Sequence, residues 1–264
     1  MKQIFLEPEE YINPEDGLIY CRDCGKPRQK YFRMLGHEYR PRIPCDCQAE
    51  KRRDEEYRRE AYERERYVDC LKEKGLGWKA LRDYRFDNNR YLSPRLLTTL
   101  KEYTRLLREP CPAGLLIWGP PGRGKTYAAA CIVNEVLEDC QPAAMVSYGR
   151  FLEDLSGMSL PEKQDRLDGL FSNKLVCFDD FDVRYLTRPA TPTALDIANR
   201  IVLCGRPVLI TTGYTLEELD HPKTELELKL FRSIRNHTVP VHMDGEDLSR
   251  KVRQEHIDAL RDAL

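Results

Sequence analysis

Gly119-Pro120-Pro121-Gly122-Arg123-Gly124-Lys125-Thr126 fills every fixed position of the pattern G-x-x-x-x-G-K-[ST], and its flanks decide what that means. The pattern carries physics only where a strand feeds it and a helix leaves it, because loop amides and a helix N-terminus must converge on phosphate oxygens. Upstream, Leu115-Leu116-Ile117-Trp118 is a short apolar run of buried-strand type. Downstream, Tyr127-Ala128-Ala129-Ala130-Cys131-Ile132-Val133 continues to Val136 and Leu137 as a helix with alanine close to the sheet. The stretch reads as a nucleoside triphosphate site. Gly119, Gly122 and Gly124 let backbone amides approach the phosphates, Pro120, Pro121 and Arg123 complete the nucleotide-binding loop, and Tyr127 lies just beyond. Lys125 reaches the β and γ oxygens, and the Thr126 hydroxyl completes the shell of a Mg²⁺ ion.

Four further apolar runs follow: Ala143 to Tyr148, Leu175 to Phe178, Pro207 to Thr212 and Val239 to Met243. Helical patterns separate most of them, which predicts an α/β fold with a five-stranded parallel sheet covered on both faces, a doubly wound P-loop NTPase. The third strand ends in Phe178-Asp179-Asp180-Phe181-Asp182, with Asp179 lying 54 residues after Lys125. At the carboxyl end of a central strand, Asp179 can hold the magnesium shell and Asp180 can polarise the attacking water.

The 264 residues allow one α/β domain and a small appendage, divided here as a head over 1–48, a charged helical connector over 49–75 and the ATPase domain over 76–264. Net charge is −1, from 43 basic and 44 acidic residues, so nucleic-acid binding must come from a local patch or an assembled ring. No apolar stretch approaches the roughly 20 residues that span a bilayer. Together with the absence of a signal-peptide core, this predicts a cytoplasmic protein with no membrane partner.

Four of the ten cysteines form C-x2-C and C-x-C half-sites, Cys21, Cys24, Cys45 and Cys47, with a turn-forming Gly25. A structural Zn²⁺ site is the favoured reading; a redox pair, unliganded thiols, and His37 in place of one cysteine are the alternatives. Between the half-sites, Lys26, Arg28, Lys30, Arg33, Arg40 and Arg42 interleave with Tyr31, Phe32 and Tyr39, a pattern that suits either nucleic acid or protein docking. Beyond Cys47, 14 of the 17 residues from Glu50 to Arg66 are charged, with i,i+4 pairs such as Glu55 with Arg59 supporting a solvated helix. The other six cysteines, Cys70, Cys111, Cys131, Cys140, Cys177 and Cys204, lack metal spacing and read as packing residues.

Taken together, CRDCGKP and PCDC, the connector, Tyr84-Arg85-Phe86-Asp87-Asn88, GPPGRGKT, LVCFDDFD, Asn199-Arg200 and PVLITTGYTLEEL resemble the DnaC and DnaI helicase loaders and the IstB transposition ATPases of the AAA+ class. The resemblance covers nearly the whole chain. It implies an ATPase that forms homo-oligomers with ATP at the subunit interface, binds single-stranded DNA and loads a replicative DnaB-type helicase, which its zinc-bearing head grips. An IstB-like transposition helper is the neighbouring alternative, and a P-loop kinase of small metabolites a more distant one. Carried over by position, Arg232 is the arginine finger with Arg235 as competitor, Arg250 the second-sensor arginine, and Arg184, Tyr185 and Arg188 a loop facing DNA. Two departures predict slow hydrolysis. Asp180 stands where the family carries Glu, and Gly213 stands at the sensor position, leaving Thr212 to substitute.

Overall fold

A computed structural model describes residues 6–263 except 90, 91, 111, 112, 185 and 246; the side chains of 48, 249, 251, 252, 255, 256, 259, 262 and 263 are likewise outside the description. Two compact units divide the chain, residues 1–66 and 67–264.

In the first unit, β1 (Glu10–Ile12) pairs antiparallel with β2 (Ile19–Cys21), and β3 (Phe32–Met34) with β4 (His37–Tyr39). With so few apolar residues to bury, this unit uses ion pairs internally. Glu10 is buried and takes Arg28 at 3.0 Å and Arg42 at 3.1 Å, while Glu7 adds a second contact to Arg28 at 3.0 Å. Helix α1 (Asp46–Gly75) begins at the second cysteine pair and crosses into the second unit. Its charged stretch is exposed as expected, although Arg59 pairs with Glu63 at 2.9 Å rather than with Glu55. Its last two turns belong to the second unit. There a β-carbon on Gly75 would overlap the Ala143 carbonyl, and Leu76 is fully buried.

The second unit continues with α2 (Pro94–Leu106), β5 (Gly114–Trp118), α3 (Lys125–Glu138), β6 (Ala143–Ser147), α4 (Tyr148–Ser156), α5 (Leu160–Phe171) and β7 (Leu175–Asp179). It is completed by α6 (Thr191–Leu203), β8 (Val208–Thr212), α7 (Leu216–Asp220), α8 (Glu225–His237), β9 (Thr238–His242) and α9 (Leu248–Ala263). Tyr148, read from sequence as the end of a strand, instead opens α4. The five strands form one parallel sheet in the order β6-β7-β8-β5-β9. Among the described residues, no helix is long and apolar enough to cross a membrane.

Strand parity divides the core. Leu116, Val176, Phe178, Val208 and Ile210 face one side with residues of α4, α5, α6 and α8. Leu115, Ile117, Leu175, Cys177 and Leu209 face the other, where Ala128, Ala129 and Ala130 are fully buried and allow α3 to lie close. Because side chains alternate along a strand, Asp179 and Thr211 continue the second set and emerge on the α3 side at the carboxyl ends of their strands. That placement builds the site.

Candidate nucleotide site and four-cysteine head

The loop between β5 and α3 is held in a form that only glycine permits at two points. Gly119 has φ +145° and would bring a β-carbon to 2.7 Å from the Met243 carbonyl; Gly124, at φ +79°, would meet the Leu248 side chain at 2.8 Å. Lys125 donates to the Gly119 and Pro120 carbonyls at 2.8 Å each. Burial lowers its pKa, against the opposing pull of Asp180 and Asp179.

Thr126 starts α3 with its hydroxyl 3.1 Å from both oxygens of Asp179. Thr211, buried at the end of β8, donates to Asp179 Oδ1 at 2.6 Å and accepts the Asp180 amide at 2.9 Å. Burial raises the Asp179 pKa; the hydrogen bonds from Thr211 and Thr126 oppose the rise. Asp180 is exposed on the same cleft and sits in the left-handed region at φ +54°. A hydroxyl and a carboxylate converging beside the lysine of a phosphate loop fit a magnesium–triphosphate ligand by donor chemistry: hard oxygens for the cation, amides and ammonium for the anion.

The cleft measures about 970 Å³ and has two ends. Lys125, Thr126, Asp179 and Asp180 form the polar end, while Tyr84, Leu248, Ile257 and Leu260 supply apolar surface. Tyr84 meets Tyr127 with ring centroids 5.0 Å apart, and Tyr127 donates to the Arg85 carbonyl at 2.9 Å. Buried Asn134 anchors the same segment, donating to the Leu81 and Tyr84 carbonyls at 2.7 and 3.0 Å.

The other expected residues take the following positions. Thr212 turns its hydroxyl to the Phe181 carbonyl at 2.8 Å on the opposite face, so the residue suited to the sensor role is Thr211, and Gly213 lies exposed beyond the strand. On α9, Arg253 lines the cleft, whereas exposed Arg250 reaches Asp247 at 3.6 Å. On α8, Arg235 is held by Asp220 at 2.8 Å, while Arg232 is exposed and has no ion-pair partner among the described residues. Arg184 folds onto Asp182 at 2.5 Å and over the Tyr214 ring at 4.8 Å; Arg188 is exposed, and Tyr185 lies outside the described residues. Sequence signals existed for some of this. Odd and even positions along β8 separate Thr211 from Thr212, while the three-residue step from Arg250 to Arg253 on one helix requires the tertiary packing.

In the first unit, the Cys21, Cys24, Cys45 and Cys47 sulfurs all lie within 4.8 Å of one another, with Cys21–Cys47 at 3.5 Å and Cys45–Cys47 at 3.2 Å. Gly25, at φ +65°, folds the first knuckle so that its amide bonds the Cys21 carbonyl at 2.9 Å. The Cys24 backbone amide, more than the neighbouring thiols, brings the Cys21 thiol down to about 7, while hydrogen bonding to Cys45 holds Cys47 up. Four convergent thiols of this spacing fit a tetrahedral zinc ion, whose ligand sulfurs lie about 2.3 Å from the metal. His37 is not among the clustered ligands. Arg28 and Arg42, expected to face a partner, are instead committed to Glu10 and Glu7.

The chain is similar in structure to DnaI, with a TM-score of 0.54 at 17% identity over 65% of this chain and 93% of that one. It is also similar to the DnaC helicase loader, at 0.51 and 15% over 63% and 100%, and to AMPPCP-bound DnaA from Aquifex aeolicus, at 0.50 and 16% over 67% and 56%. The second unit has the AAA+ P-loop fold. The sequence matches no family model and no curated protein. At these identities the likeness concerns fold, and the chemistry rests on the residues just described.

Proposed function

We propose that this chain is a cytoplasmic, ATP-dependent replication factor that binds a replicative DnaB-type hexameric helicase and places it on single-stranded DNA, using ATP binding and slow hydrolysis as its switch. One observation carries the reading. The Thr126 and Thr211 hydroxyls meet the Asp179 carboxylate within 3.1 Å beside the phosphate loop, in a body distinct from the one holding four clustered cysteines. A metabolic kinase has no use for that second body; a factor that must grip one macromolecule while reading a nucleotide does. The organisation is a zinc-binding head over 1–48, a helical connector over 49–75 and the ATPase over 76–264.

Mg²⁺, when bound, neutralises charge on the β- and γ-phosphates. Thr126 and Asp179 hold it, Lys125 exchanges its loop carbonyls for phosphate oxygens, and Asp180 orients the attacking water. Thr211 fixes the Asp179 carboxylate and the Asp180 backbone amide, and Arg253 lines the same cleft. Arg232 stays free to reach a neighbouring subunit's γ-phosphate, which Arg235, tied to Asp220, is not. Asp180 supports slow turnover, since its side chain is one methylene shorter than glutamate.

The test uses the purified full chain with the replicative helicase of its host. An ATP-dependent complex that accelerates assembly of the helicase on protein-coated single-stranded DNA supports the proposal. Failure to bind that helicase, with recovery of a transposase instead, overturns it in favour of the IstB-like reading.

A further inference from the structure

We infer that the β3–β4 hairpin is the anchor of the head, inserting its tip into an apolar groove rimmed by carboxylates on a protein partner. The inference rests on the loader reading and names the surface by which the head would make its grip.

The hairpin tip is built at a cost the chain does not recover internally. Leu35 and Gly36 occupy the turn with φ +52° and +79°, so both central residues are left-handed, as in a type I′ turn, where Asn or Gly is favoured at the first position. A leucine there is strained, and it is also 89% exposed. Behind it, the register Phe32↔Tyr39 and Met34↔His37 puts Phe32, Met34 and Tyr39 on one face, all exposed, with the two rings stacked at 5.4 Å and 15°. An apolar face that ends in a strained, protruding leucine is the form of a docking knob.

Charge supplies the chemistry of the partner. Elsewhere in the first unit, several basic side chains are neutralised: Arg28 and Arg42 by Glu10 and Glu7, Lys26 by Asp46, and Lys51 by Asp23, while Arg22 donates to the Glu10 backbone carbonyl at 3.0 Å. Lys30 and Arg33, on the hairpin, have no carboxylate partner among the described residues, and Arg40 lies over the Tyr31 ring at 5.5 Å. From Lys30 to Arg40 the segment carries three cations, Lys30, Arg33 and Arg40, against one carboxylate, Glu38, so the hairpin is net positive and its complement is an apolar groove with an acidic rim. Single-stranded nucleic acid fits less well. Phe32 and Tyr39 already stack on each other, the tip residues Met34 and Leu35 are aliphatic, and Glu38 stands opposite Arg33.

Leu35→Asn separates docking from folding, because asparagine accepts the left-handed turn and removes only the apolar knob. In the full chain, this variant is expected to keep its zinc content and thermal midpoint while its affinity for the purified host helicase falls at least about tenfold. Lys30→Glu/Arg33→Glu should slow association and reduce its salt dependence. If the wild-type chain does not bind the helicase, the loader reading fails and takes this inference with it. If the wild type binds and Leu35→Asn binds equally well, the hairpin inference alone is overturned. Loss of affinity for an oligothymidine strand with helicase binding intact would mark a nucleic-acid surface and overturn it too.

Discussion

Replacing Thr211 by valine removes a hydroxyl and almost no volume, at a position that is 1% exposed. Two hydrogen bonds go with it: the 2.6 Å bond donated to Asp179 Oδ1 and the 2.9 Å bond accepted from the Asp180 amide. A bond to a charged carboxylate contributes roughly 1.5–3 kcal/mol and a neutral one about 1 kcal/mol, so the substitution should cost about 2–4 kcal/mol in all. The sign with pH follows from Asp179. Its folded pKa lies above the unfolded value because of burial, so ionising it disfavours the folded state. That cost is absent below the unfolded value and complete above the folded one. Losing the Thr211 donor raises the folded pKa further. Thr211→Val should therefore lose more thermal stability near about pH 8 than near about pH 5, with Mg²⁺-nucleotide restoring part of it. Magnesium-dependent ATP affinity at neutral pH should fall by roughly 10- to 100-fold, the lost charged bond expressed as a ratio. Calorimetric titration and thermal denaturation across pH measure both effects, with Thr212→Val as the control, since that hydroxyl bonds the Phe181 carbonyl on the other face. Unchanged ATP affinity in Thr211→Val, or an equal loss in Thr212→Val, would refute the assignment of Thr211 to the site.

Chelation should release about one zinc per chain and unfold the head while the melting transition of the ATPase domain persists; Cys45→Ser should do the same without chelator, read by metal analysis and circular dichroism. Arg232→Ala should leave the melting temperature unchanged and lower the oligomer's kcat by a factor on the order of 10³. Arg235→Ala, which removes a partly exposed pair with Asp220, should reduce stability by at most about 1 kcal/mol and leave kcat near wild type. Gly114→Ala places a β-carbon 2.5 Å from the Val208 carbonyl and 2.8 Å from that of His237, so the sheet must part and stability should fall by about 1–3 kcal/mol or more in denaturant titration.

What the sequence reveals and what it withholds follow the range of the physics involved. The parallel sheet is legible because strands buried on both faces need continuous apolar runs, and Leu115 to Trp118, Leu175 to Phe178 and Val208 to Thr212 have them. The four-cysteine cluster is legible because ligand spacing is a local property. The partners of individual charges are not. Arg28 resembles any other cation in a basic stretch until Glu10, eighteen positions away, is found buried against it. Arg250 and Arg253 look alike until α9 is packed.

Backbone strain separates architecture from function more sharply than composition does. Three described non-glycine residues have left-handed φ: Leu35, Cys140 and Asp180. Cys140 is explained by helix termination, because its amide and that of Gln141 bond the Leu137 and Val136 carbonyls at 3.0 and 3.1 Å, closing α3 with a Schellman motif. Neither of the other two terminates a helix. The Asp180 amide is held by the hydroxyl of Thr211, which ties the backbone at this residue to the strand that also fixes the Asp179 carboxylate. Leu35 stands 89% exposed at the tip of a hairpin. Strain persists where surrounding structure or selection over-determines it. On this reasoning Asp180 marks the proposed nucleotide site in one unit and Leu35 the proposed docking knob in the other.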